Sequence, residues 1–232
     1  MVYLLIILGS LLAVFWKKID FLGGVVGCLT TILLYHSIGL SGIAFIAAFF
    51  LLGSLASVYR LNEKSQHDLA EAKQGQRGWK NVVANSGAAA SVAIVHLILP
   101  DHIENSEIAI AVCFATALSD TLSSEMGNLT GKKHFSILTT KPAIRGQDGA
   151  VSWSGFAWGL LGSSLMGVIY GLFFEFDGIV IGIILLGFVG NMLDSFFGAT
   201  LQSQGKLSNN GVNLLSTSCI TILALVFTLG PG

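Results

Sequence analysis

Eight apolar stretches, at residues 1–16, 19–35, 39–58, 81–99, 108–126, 153–173, 179–201 and 211–229, constrain this chain to a bundle of membrane helices. Most match the ~17 to 25 residues that a spanning helix needs. Of the 232 residues, 53% are hydrophobic and 11% charged, whereas about a quarter of a soluble domain carries charge. The expected fold class is therefore an all-α integral membrane protein of about eight transmembrane helices. It forms a single transmembrane domain over 1–232, with two longer cytoplasmic loops at about 59–80 and 128–152. The first stretch is short for a full crossing. It has no small-residue cleavage site before Lys17-Lys18, which marks it as a retained helix.

Charge placement tests this division, because cytoplasmic loops are enriched in Lys and Arg. Lys17 and Lys18 follow the first helix, and Arg60, Lys64, Lys73, Arg77 and Lys80 follow the third. Lys132, Lys133, Lys141 and Arg145 follow the fifth, and Lys206 follows the seventh. All 12 basic residues thus fall on one side. The opposite loops hold Asp101, Glu104, Glu107, Glu175 and Asp177, so both termini are expected on the non-cytoplasmic face. A prokaryotic inner membrane is the default location. No basic aromatic surface suggests nucleic acid, and the sequence leaves a homo-oligomer open.

Cys28, Cys113 and Cys219 lie in three different apolar stretches without CxxC or Cys/His spacing, which argues against a zinc or disulfide framework and leaves packing. The histidines His36, His67, His96, His102 and His134 are scattered in depth and side. Of these, His134 alone falls near the polar residues discussed next, where a solvated loop role is expected.

Asp120 and Asp194 interrupt two of the apolar stretches. A carboxylate inside a membrane helix is costly and usually has a functional partner. The proposed topology puts both at the same depth in the cytoplasmic third. At 100° per residue, Asn191, Asp194, Gly198 and Gln202 share one stripe of the seventh helix, and Thr116, Ser119, Asp120, Ser123 and Gly127 share one stripe of the fifth. Two polar seams facing each other are the economical arrangement. Glu125 lies about 140° from Asp120 on a regular helix, too far to share one ion, so local unwinding near Ser124 is expected.

The loop after the fifth helix mixes Lys132, Lys133, Lys141 and Arg145 with Gly131, Gly146, Gly149 and Gly155, beside Ser152 and Ser154. Glycines let backbone N–H groups approach an anion, and the start of the sixth helix adds a favourable dipole. The run from Gly127 to Lys133 is not a Walker A sequence, having three residues between its glycines and Lys in place of Ser or Thr. In the 59–80 loop, residues 62–72 are expected to be partly helical. There Arg77, beside Gly78, suits bidentate phosphate contact, and Trp79 an interfacial anchor. Asn209, Asn210 and Asn213 open the eighth helix; capping accounts for one or two, and Asn213 is expected to face the polar seam.

These residues resemble the ordered motifs of one multi-pass family. The matching blocks are Arg77-Gly78-Trp79-Lys80 with Asn85; Asp120-Thr121 with Ser124-Glu125 and Gly127; Pro142 with Gly146, Gly149, Val151-Ser152 and Gly155; Asp194-Ser195 with Gly198-Ala199-Thr200 and Gln202; and Asn213. The family includes plant chloroplast phytyl-phosphate kinase and animal transmembrane protein 19, and is related to CTP-dependent polyprenol kinases. The resemblance covers about residues 60–220; the first two helices resemble nothing diagnostic.

The resemblance implies a phosphotransferase of isoprenoid metabolism. It would move the γ-phosphoryl group of CTP, or of another nucleoside triphosphate, to an isoprenyl monophosphate of phytyl, geranylgeranyl or farnesyl type. Asp120, Glu125 and Asp194 would be the catalytic residues and Mg²⁺ ligands. Arg77, Lys80, Asn85, Ser124, Lys132, Lys141, Arg145, Gly146, Gly149, Ser152, Gly155, Gly198, Gln202 and Asn213 would bind nucleotide and phosphate. A prenyl alcohol remains open as acceptor, and would need the general base that Glu125 could supply. The rival readings are a lipid-phosphate cytidylyltransferase and a cation or solute transporter. The transporter expects polar residues through the whole membrane depth, yet the outer halves of helices four to eight are almost wholly apolar.

Overall fold

The computed structural model describes residues 1–60, 76–102 and 105–228, and within them the chain forms eight α-helices. These are α1 (Val2–Phe15), α2 (Phe21–Ile38), α3 (Leu40–Val58), α4 (Trp79–Ile98), α5 (Ser106–Thr130), α6 (Trp153–Phe173), α7 (Gly178–Phe197) and α8 (Asn209–Thr228). Seven are long and apolar enough to cross a membrane, α7 counted with the π-helical turn Gly198–Gln202 that extends it. The exception is α1, whose 14 residues rise about 21 Å against a hydrocarbon core of about 30 Å. The fold is that of an all-α membrane protein. The expected partial helix at 62–72, together with Lys64, His67, Lys73 and Glu104, lies outside the described residues.

Helix ends follow from local chemistry. Asp20 caps α2 by accepting from the Gly23 N–H at 2.6 Å, and Asp177 caps α7 through the Ile179 N–H at 2.8 Å. Gly39, at φ +69°, separates α2 from α3, a left-handed conformation that only glycine adopts at little cost.

Most of α5 is buried, and α3, α4, α6, α7 and α8 all pack against it. Its outer turns read Ala109, Ala111, Ala115 and Ala117, all essentially inaccessible. Small side chains let neighbouring backbones approach, which in lipid is the main source of helix association. One such close approach is between Gly127 and Gly155, where a Cβ on Gly127 would sit 2.5 Å from the Gly155 Cα. Gly187 and Gly190 of α7 take the same role against Ala115 and Thr116.

One expectation is corrected here. The helix does not unwind near Ser124, because α5 continues without a break to Thr130, its polar last turn packed against α6. The loop after it contains a short sheet: Phe135–Ser136 (β1) and Ala150–Val151 (β2) pair antiparallel, so residues 131–152 close into a small hairpin. The hairpin rests on the end of α7, where Gly149 meets Ala199 and Gln202 Nε2 donates to Asp148 Oδ1 at 2.7 Å.

The turn between α1 and α2 makes a second junction at the same end of the bundle. Ile19 and Arg77 form a parallel bridge in which the Arg77 N–H donates to Lys18 O at 3.0 Å and the Asp20 N–H donates to Arg77 O at 2.9 Å. Lys17, Lys18, Lys80, Lys132, Lys133, Lys141, Arg145 and Lys206 therefore sit on loops and helix starts gathered at one end.

Candidate functional site

At that basic end, a cavity of about 170 Å³ lies between the helix bundle and the hairpin. That volume holds on the order of ten waters. Asp120 from α5, Asn191 and Asp194 from α7, Asn213 from α8 and Asn85 from α4 line it from the helices; His134 and Gly146, Gln147, Asp148, Gly149 and Ala150 line it from the hairpin. Arg77 completes a side wall.

The two carboxylates meet as the facing seams require. Asp120 and Asp194 lie within hydrogen-bonding reach of each other. Asp194 also accepts from Ser216 Oγ at 2.8 Å, and the Asn213 amide, turned with its nitrogen inward, donates to the same Oδ2 at 3.3 Å and to Asn209 O at 2.9 Å. Asn85 Nδ2 is tied to Asn81 O at 2.8 Å, while its Oδ1 is buried with no hydrogen-bond partner among the described residues. A buried acceptor of this kind has a reason to meet a ligand or water.

Among the described residues, no group of three or more His, Cys, Asp or Glu side chains is gathered closely enough to cage a metal. Asp148 lines the hairpin wall, and the donor set on the helix side of the cavity is two carboxylates, Asp120 and Asp194, with carboxamide and hydroxyl oxygens. It fits Mg²⁺, which keeps several waters and takes one or two carboxylates together with substrate phosphates rather than an all-protein cage.

Of the expected site residues, Asp120, Asp194, Arg77, Asn85, Ser124, Gly146, Gly149, Ser152, Gly155, Gly198, Gln202 and Asn213 line the cavity. Glu125, Lys80, Lys132, Lys141 and Arg145 do not. The uninterrupted helix turns Glu125 away from Asp120, and it is buried with 7% exposure. Lys80 Nζ lies 5.8 Å from the Trp79 ring. Ser152 spends its hydroxyl as the N-cap of α6, accepting from the Gly155 N–H at 3.0 Å. Gln202 is engaged with Asp148.

The asparagines that open α8 do not cap it. Ser208 does, accepting from the Gly211 N–H at 3.3 Å, which frees Asn209 and Asn213, one helical turn apart, to face the cavity. That i, i+4 spacing was a usable signal in the sequence. Thr121, Ser123, Asn128 and Ser195 also line the cavity without having been singled out as site residues.

His134 is a half-buried loop residue rather than a fully solvated one. It lines the cavity, and its Nε2 is buried without a partner among the described residues. Burial, and then the nearby Arg145 cation, hold its pKa below the ordinary 6.5. The unfolded chain therefore binds this proton at a higher pH than the folded one. The resulting stability contribution is full above the ordinary pKa and declines as the pH falls below it. Thermal unfolding in detergent should show acid destabilisation setting in below pH 6.5, and His134→Gln should reduce that slope. An identical slope in the variant would remove His134 as its source.

The family model described as integral membrane protein DUF92 matches residues 4–221. An uncharacterized membrane protein of Synechocystis sp. is 33% identical over 190 residues, covering 80% of this chain and 73% of that protein. An uncharacterized membrane protein of Methanocaldococcus jannaschii is 35% identical over 187 residues, 80% of this chain and 75% of its own length. The chloroplastic protein VTE6 of Arabidopsis thaliana is 29% identical over 203 residues, 84% of this chain but 60% of that protein. No solved structure matches.

Proposed function

The chain belongs to the DUF92 family of integral membrane proteins, and on that footing we propose that it is a membrane-embedded kinase. Its reaction is transfer of the γ-phosphoryl group of CTP, or of another nucleoside triphosphate, to an isoprenyl monophosphate, giving the diphosphate. The observation that carries this reading is the meeting of Asp120 and Asp194 at the membrane end of a polar cavity walled by Arg77 and roofed by a glycine-rich hairpin. The motif resemblance supplies the substrate class.

In the reaction, an oxygen of the acceptor phosphate attacks the γ-phosphorus, the bond to the bridging oxygen breaks, and the nucleoside diphosphate leaves with that electron pair. The acceptor is largely ionised near neutral pH, its second pKa being about 6, so no general base is required. Such transfer depends on positioning and on neutralising charge. Asp120 and Asp194 would hold Mg²⁺, which when bound neutralises phosphate oxygens. Arg77 contributes a fixed planar cation, and the Gly146–Gly149 segment brings main chain close to the phosphates. The nucleotide reaches the cavity from the basic end, assigned to the cytoplasm, while the prenyl chain stays in lipid between helices. The catalytic unit is the single transmembrane domain.

The test offers detergent-purified protein γ-labelled CTP or ATP with Mg²⁺ and a panel of prenyl alcohols and monophosphates. Label in a prenyl diphosphate is expected. Label from α-labelled CTP entering lipid instead would establish the cytidylyltransferase, and silence from both labels with folded protein would end the kinase reading.

A further inference from the structure

Arg77 is 4% exposed and lines the cavity, so a long cationic side chain is held there almost out of solvent. Segments distant in the chain build a seat for it. The main chain is pinned on both sides by the α1–α2 turn, through Lys18 O and the Asp20 N–H, and Gln76 Nε2 donates to Ile19 O at 3.2 Å. The guanidinium lies over the Phe49 ring, 5.0 Å from its centroid, within the distance at which a cation is attracted to the ring face. One turn further along α3, Gly53 leaves the space that the guanidinium fills. A Cβ there would stand 2.6 Å from Nη2 and 3.1 Å from Nη1.

We propose that Gly53, with Phe49 and the 18–20 turn, is a positioning device for Arg77, so that the first three helices set the cation that faces the phosphates. The atoms a new Cβ would strike are the far end of a flexible side chain rather than backbone. Gly53→Ala therefore moves the guanidinium and leaves the bundle folded. By contrast, Gly27 on α2 has nothing within 4 Å of its would-be Cβ, and Gly27→Ala serves as the neutral control.

The experiment has two arms, of which only the second rests on the phosphate-binding reading. In the first, an arginine-selective dicarbonyl is applied to detergent-purified protein, and modification of residue 77 is read by peptide mass spectrometry. Wild type and Gly27→Ala should be protected, and Gly53→Ala several-fold more reactive at unchanged thermal stability. In the second, the KM for nucleoside triphosphate should rise about tenfold in Gly53→Ala, with a smaller change in kcat. In an Arg77→Lys background the same substitution should add little, as residues acting through one another are not additive. Arg77 equally protected in Gly53→Ala and wild type overturns the proposal whatever the second arm shows. Changed reactivity with no nucleotide use by wild type keeps the positioning device and ends the kinase.

Discussion

Asp120→Asn and Asp194→Asn should each lower phosphoryl transfer by at least ~10²-fold to 10³-fold, the scale on which removing one preorganised charge-stabilising group is felt, while the protein remains folded. The second half of that expectation gives the first its meaning. A buried carboxylate in a membrane helix is a burden on stability, and an isosteric amide removes the charge without opening a void. In Asp194→Asn the remaining carbonyl oxygen can still accept from Ser216 Oγ, which reaches the native carboxylate at 2.8 Å, and from the Asn213 amide. Thermal unfolding of both variants should thus equal or exceed that of wild type, with label transfer lost. Variants that unfold early would make the pair structural, and variants that retain transfer would take the acids out of the reaction.

The helices were legible because lipid leaves a chain few options. Apolar runs of the right length must satisfy their backbone internally, and the 153–173 stretch became α6 with the same bounds. The site was legible where helical periodicity controls it: Asn191, Asp194, Gly198 and Gln202 lie on one stripe and all face the cavity. Periodicity also argued that Glu125 points elsewhere, and the regular helix bears that geometry out against the expected unwinding.

What escaped the sequence depends on contacts between segments far apart. The Arg77 seat is written in Lys18, Asp20, Phe49 and Gly53, none of which carries a motif. Loop cations illustrate the same gap. Lys132, Lys133 and Lys141 satisfy a positive-inside pattern whether or not they meet a ligand, and they do not line the cavity, whereas His134 does. The Asp148–Gln202 hydrogen bond joins residues 54 apart in the chain; no local spacing announces it.

That bond points to the hairpin as a second part of the site sensitive to one substitution. Gly149→Val should reduce kcat/KM by about 10²-fold, the loss that a displacement of about 1 Å can cause in a preorganised site, with little effect on unfolding of the helix bundle. Gly149 has φ +74°, and a Cβ there would overlap Ala199 at the end of α7. A left-handed conformation costs an L-residue about 1–2 kcal/mol, and the overlap adds steric repulsion from main chain as well as side chain. The hairpin must then lift. Lifting separates Asp148 from Gln202 and withdraws the Gly146–Ala150 wall from the acids. Gly205→Val separates the two causes: at φ +68° it carries the same backbone strain, but nothing lies within 4 Å of its would-be Cβ, and it does not line the cavity. Activity lost at position 149 and kept at 205 identifies seating of the hairpin as the requirement. Equal losses at both would reduce the effect to general strain, and full activity in Gly149→Val would show that the hairpin takes no part in transfer.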